Sequence, residues 1–226
     1  MTGNCLKIIA LVAMTIDHVG MMLFPHQEWM RIIGRIAFPI FTYMIAEGCK
    51  YTKNRKRYVS QIALLGIGMQ IVLFIVDGSL YQSVFISFTL AILLIYIIDK
   101  ARQEKNIAHW VGVGLAVLVC VFLCFGVPEL LPKTDFTIDY GIVGIVIPVG
   151  CYFAASKRLK VVVFTLGLIA LAAFYGGVQW FGLLAVPFIV LYNNQKGTHR
   201  LKNLFYFYYP AHLGVIYVID AFVSEL

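Results

Sequence analysis

The sequence predicts an all-α fold: a polytopic membrane helix bundle of about nine transmembrane helices, N-terminus cytoplasmic and C-terminus extracytoplasmic. Three observations carry this reading. Of 226 residues, 61% are hydrophobic and 13% charged, with a mean hydropathy of +0.87; a soluble domain carries about twice that charged share. Nine apolar runs approach the ~20 residues that a spanning helix needs. The loops between them alternate between rich and poor in Lys and Arg, and the basic set marks the cytoplasmic side.

In chain order the runs are 6–24, 32–49, 58–76, 84–98, 107–127, 140–155, 159–175, 178–192 and 204–222. The basic loops are 50–57, 99–106, 156–160 and 193–203; with Lys7 they hold 15 of the 18 Lys and Arg. The others are Arg31, Arg35 and Lys133. Residues 161–192 carry no charge, yet both flanks are basic. That stretch must cross an even number of times, so two short helices turning at Gly176-Gly177 are predicted, and the same logic divides 107–155. Such long apolar runs exclude a transmembrane barrel, whose strands are short and alternating. The first run is interrupted by Asp17-His18 and lacks a small-residue cleavage site, so it reads as a spanning helix rather than a cleaved leader. One domain, 1–226, accounts for the length. The net charge of +7 follows membrane topology, and nucleic acid is not an expected partner. The five cysteines show no zinc or disulfide spacing, and no metal is expected.

Ionisable residues within lipid-spanning segments are expensive, so each is a functional candidate. Asp17 and His18 lie in the first run and Arg35 near the start of the second. Lys7 and His18 stand eleven residues apart, on one helix face and separated by ~16 Å of rise. They suggest a lined path from the cytoplasmic end, although Lys7 also suits a snorkelling topology signal. Consecutive side chains diverge by ~100°, so Asp17 is free to pair with Arg35 or a later helix rather than with His18. Gly34 permits close helix approach and Pro39 predicts a kink. Glu47 suits a cap on the same helix. Asp135 and Asp139 face outside, with Asp139 at the mouth of the sixth run, a place to receive an amine or a sugar or simply a solvated loop. His212, among Tyr206, Tyr208 and Tyr209, is a second buried histidine, for packing or for an inward polar cluster.

Four blocks then point one way: LKIIALVAMTIDHVGMMLFP, RIIGRIAFPIFTYMIAEG, DYGIVG and LFYFYYPAHL. Together, across nearly the whole chain, they resemble the TraX family. That family is associated with N-acetylation of the F-pilus subunit. It is related to the integral membrane acyltransferases that include the O-antigen acetylases and the lysosomal heparan glucosaminide acetyltransferase. In many of these a basic residue and a histidine eleven positions on mark the first helix; Lys7 and His18 match, with Lys where Arg is commoner. Larger relatives have ten or more helices where nine are counted here.

The resemblance implies transfer of an acetyl or other acyl group from cytoplasmic acetyl-CoA to an extracytoplasmic acceptor: a peptide amine, an amino sugar or a polysaccharide hydroxyl. It implies residence in the bacterial cytoplasmic (inner) membrane. His18 is then the expected general base, with Asp17 and Arg35 setting its tautomer and charge; a covalent acetyl-histidine is a variant. Lys7, Lys53, Arg55 and Lys56 are the expected acetyl-CoA contacts, since Lys and Arg bind phosphates well, although that cluster also simply obeys the positive-inside rule. Asp139, Tyr140 and His212 are the expected acceptor contacts. The alternative is a small-solute transporter with His18 and His212 as proton-relay groups.

Overall fold

The computed structural model describes the backbone of residues 1–197 and 202–224 and, within the last helix, the side chains of 207–222. His199, Arg200, the Tyr206 side chain and the C-terminal residue lie outside the described residues. The described chain is helical; its one β feature is an isolated bridge between Gln82 and Ile138.

The helices are α1 (Gly3–Met22), α2 (Glu28–Gly34), α3 (Ala37–Tyr51), α4 (Arg55–Asp77), α5 (Val84–Glu104), α6 (Ile107–Val121), α7 (Val127–Leu130), α8 (Gly141–Phe153), α9 (Lys157–Tyr175), α10 (Val186–Val190) and α11 (Lys202–Ser224). A π turn, Phe122–Gly126, joins α6 to α7, and a 3₁₀ segment, Gly177–Ala185, precedes α10. Among the described residues, six stretches are long and apolar enough to cross a bilayer: Gly3–Met22, Glu28–Tyr51, Arg55–Asp77, Val84–Glu104, Ile107–Leu130 and Lys157–Tyr175. This is a membrane protein. Along 107–130, Ile107, Val111, Leu115, Leu118, Phe122 and Phe125 all point outward, an apolar surface suited to hydrocarbon.

Each predicted run coincides with helix, but not every helix is full length. Gly141–Phe153 has 13 residues, a rise of ~20 Å against ~30 Å of hydrocarbon. Gly177–Val190 is also short, and its 3₁₀ part holds poorer hydrogen bonds than an α-helix. Nine full crossings and the sidedness of the termini therefore rest on the charge pattern alone.

The breaks follow from local chemistry. Pro39 cannot donate to the carbonyl four residues back, and its ring crowds it. That carbonyl belongs to Arg35, where α2 gives way to α3; the break thus falls just ahead of the proline. After α9, Gly176 and Gly177 take φ of 69° and 53°, a region open to glycine at little cost. Thr2 caps α1 and Asn54 caps α4, its side chain accepting from the Arg57 amide at 2.9 Å.

The chain forms two compact units, 1–44 with 164–226, and 45–163. In the first, α1 packs on α2 and α11. Leu11, Ala13, Met14 and Ala37 form its core, flanked by Ile33, Ile36, Phe41, Tyr208 and Tyr209. In the second, α5 packs on α4, α6 and α8, around Ala91, Leu94, Cys120 and Ile145.

Candidate functional site

The polar residues of the first unit converge where α1, α2 and α11 meet. An alanine-type Cβ at Gly34 would lie 2.2 Å from Asp17 Oδ1, so only glycine lets the Asp17 side chain lie against α2. Arg35 Nη2 donates to both Asp17 oxygens, at 2.8 and 2.7 Å. Arg31, one turn earlier, places Nη1 3.1 Å from Asp17 Oδ2 and 3.3 Å from the Asp17 carbonyl. Arg35 is 8% and Asp17 14% exposed. A buried carboxylate of this kind persists because it is paired and hydrogen-bonded. Two guanidinium groups against one carboxylate leave a local surplus of one positive charge.

His18 faces elsewhere. Its Nδ1 lies 2.7 Å from His212 Nε2, with the two rings edge to edge, their centroids 5.0 Å apart and their planes 20° from parallel. His212 Nδ1 lies 2.9 Å from the Tyr208 carbonyl, and the Tyr208 ring stacks on His212 at 5.3 Å. The Tyr208 hydroxyl meets Thr15 Oγ1 at 2.8 Å, and Thr15 donates to the Leu11 carbonyl at 2.9 Å. Tyr209 sets its ring edge-on to both histidines. The expectation that Asp17 sets the tautomer of His18 is therefore corrected. The two side chains diverge on the helix, guanidinium groups hold both Asp17 oxygens, and the partner of His18 Nδ1 is His212.

The first unit thus brings together Asp17, His18, Arg35 and His212, with Lys7 three turns earlier on the same helix. Arg31 and Tyr208 join them; the sequence reading names both but gives neither a role in the site. The signal for Arg31 was its i, i+4 spacing to Arg35; Tyr208 had the same spacing to His212.

The other candidates belong to the second unit. Lys53, Arg55 and Lys56 are exposed. Arg55 contacts Asp99 at 2.5 Å and lies 5.0 Å over the Tyr96 ring. The first turn of α4 holds Arg55, Lys56 and Arg57 with no acidic residue, opposite to what the helix dipole favours. The backbone of Asp139 is tied into the interhelical loop: its N–H donates to Gln82 O at 3.0 Å and its carbonyl accepts from Ser87 Oγ at 2.5 Å. Tyr140, at φ 58°, precedes α8. Asp135 accepts from the Ser79 hydroxyl and from the Leu80 N–H at 2.8 Å. These bonds, the hydroxyl first, hold its carboxyl below the usual range. Glu47 and Lys160, 3% and 7% exposed, form an ion pair at 2.5 Å; the sequence places Lys160 among the cations of a basic loop, where its buried partner is invisible.

Comparison with known proteins adds identity to this geometry. The family model described as TraX protein matches residues 2–220. A probable fimbrial assembly protein FimC, serogroup H1, of Dichelobacter nodosus is 23% identical over 237 residues, covering 93% of this chain and 92% of that protein. An uncharacterized protein of Rickettsia prowazekii (strain Madrid E) is 43% identical over 68 residues, 30% of this chain and 25% of that protein. No solved structure matches the chain.

Proposed function

Since the chain belongs to the TraX family, we propose that it is an acetyl-CoA-dependent N- or O-acetyltransferase of the bacterial cytoplasmic membrane, acting on an extracytoplasmic acceptor. The observation that carries this reading is the hydrogen-bonded His18–His212 pair beside the Asp17–Arg35 ion pair, held within apolar helices. An imidazole exchanges a proton near neutral pH. His18 takes the proton from the acceptor amine or hydroxyl as that atom attacks the thioester carbonyl. The C–S bond breaks, the acetyl group passes to the acceptor, and the CoA sulfur leaves as thiolate and collects a proton. Asp17, Arg31 and Arg35 hold the local charge in place. Lys53, Arg55 and Lys56 contact the CoA phosphates as point charges or forks, and Lys7, three turns before His18 on α1, is a further CoA contact. Asp139 and Tyr140 contact the acceptor where it enters from outside, while both ring nitrogens of His212 are engaged within the first unit. The fimbrial-assembly name of the Dichelobacter relative favours the amine of a surface-fibre subunit over a sugar.

The His18–His212 hydrogen bond is also what a proton relay in a small-solute transporter needs, and one experiment separates the two. Purified protein in liposomes is given radiolabelled acetyl-CoA. The acyltransferase releases CoA slowly without acceptor and faster with it, and loses about 10²–10⁴-fold in rate as His18→Gln. A His18→Gln variant that keeps more than about a tenth of wild-type transfer overturns the general-base role. Solute uptake coupled to a proton gradient, with no CoA release, favours the transporter.

A further inference from the structure

We infer that His212 is a positioning residue that fixes His18 as the Nδ1–H tautomer and so makes Nε2 the basic atom of the site. The functional consequence rests on the acyltransferase reading; the tautomer itself does not. The chain of reasoning starts at a backbone atom. The Tyr208 carbonyl accepts and has no hydrogen to donate, so the ring nitrogen 2.9 Å away, His212 Nδ1, carries a proton. In a neutral imidazole one nitrogen donates and the other accepts. His212 Nε2 is therefore the acceptor, and the 2.7 Å contact with His18 requires the proton on His18 Nδ1. The lone pair of a neutral His18 is left on Nε2. A main-chain oxygen of α11 thereby decides, through two rings, which atom of α1 is basic.

The arrangement performs the orienting task that a carboxylate performs in a serine-type triad, with a neutral ring in its place. Asp17 is one residue away but is occupied by Arg31 and Arg35. When Nε2 takes a proton from the acceptor, the Nδ1–H of the resulting His18 imidazolium stays hydrogen-bonded to His212 Nε2. Release of the Nε2 proton to the departing thiolate restores the starting state. Tyr208 and His212, i and i+4 on α11, are locked in register by ring stacking and by the Tyr208–Thr15 bond.

The test uses the full chain in lipid bilayers with ¹⁵N-labelled histidine. The five histidines are assigned by the signals lost in His18→Gln and His212→Gln. The expected wild-type spectrum shows His18 protonated at Nδ1 and bare at Nε2, with a nitrogen–nitrogen coupling across the hydrogen bond to His212. His18 protonated at Nε2 overturns the inference. Two variants give the kinetic readout. His212→Leu removes the acceptor; the His18 tautomer becomes mixed and kcat falls at least about 10-fold, toward the ~10⁴-fold lost when the orienting group of a serine-type triad is changed, with the acetyl-CoA KM unchanged. His212→Gln puts an amide oxygen where Nε2 stood and recovers both the single tautomer and most of the rate. Equal activity of the Leu and Gln variants means a packing role and overturns the inference. If His212→Leu fails to insert, the wild-type and Gln spectra still decide it. If the wild-type protein transfers no acetyl group, the functional proposal fails while the spectra judge the tautomer on its own.

Discussion

Gly34→Ala is the sharpest test of the geometry at the α1–α2 contact. The new methyl carbon would meet Asp17 Oδ1 at 2.2 Å, Cβ at 2.3 Å and Cγ at 2.5 Å, where ordinary contact begins at 3.4 Å. Rotating the Asp17 side chain cannot relieve this, because its Cβ is fixed to the backbone. The two helices must part by about 1 Å, in a region where Gly20 already faces Met30 with no room for a Cβ. Overpacking alone costs about 1–3 kcal/mol. If the Asp17–Arg35 bonds, 2.7 and 2.8 Å long, are lost as well, the weakened charge pairing adds about 1.5–3 kcal/mol per lost charged hydrogen bond at most. For activity, a 1 Å misplacement costs about 10²-fold. Gly68→Ala is the control: it lies within α4 with nothing within 4 Å, and replacing a mid-helix glycine gains about 0.5–1 kcal/mol. Thermal unfolding in detergent micelles, with acetyl transfer in liposomes, compares the two. A Gly34→Ala protein as stable and active as the Gly68→Ala protein refutes the close-packed site.

Three further outcomes are expected. Glu47→Gln removes the negative charge opposite the buried Lys160 ammonium and costs up to about 3–5 kcal/mol; denaturation in micelles measures it, and an unchanged stability contradicts the ion pair. Changing Lys53, Arg55 and Lys56 together to Gln raises the acetyl-CoA KM more than it lowers kcat, because phosphate contacts are uniform binding; an unchanged KM in correctly inserted protein leaves these residues a topological role alone. Asp135 has a lowered carboxyl in the folded chain, so its contribution is full above the usual carboxylate range and is lost as pH falls through the lowered value. Hydrogen exchange at Leu80 and Tyr81, corrected for intrinsic rates, therefore accelerates in acid and loses that dependence as Asp135→Asn; a pH-independent wild-type loop contradicts the assignment.

Several elements were legible before any coordinates. The turn at Gly176-Gly177 followed from charge bookkeeping: an uncharged stretch between two basic loops must return to its own side. Gly34 and Pro39 announced a close approach and a break, and both occur, although the break sits at Arg35 because proline acts on the carbonyl four residues behind it. Arg31 was less legible, since a cation at the end of a short loop does not show which buried group it will meet. Lys160 was read as topology: composition assigns it to a basic loop, and only a partner 113 positions away makes it a buried ion.

What the sequence determined by itself is the membrane class, the helical runs and the few ionisable residues placed inside them. Those are properties of single segments, set by apolar length, periodicity and the cost of charge in lipid. What the tertiary structure decided is which of those residues meet. Periodicity reports the face a side chain occupies and carries nothing about the helix that will cover it. His18 and His212 are 194 residues apart. Their bond, and the release of Asp17 from His18 to two arginines, exist because α11 and α2 pack on different sides of α1, where consecutive residues point ~100° apart.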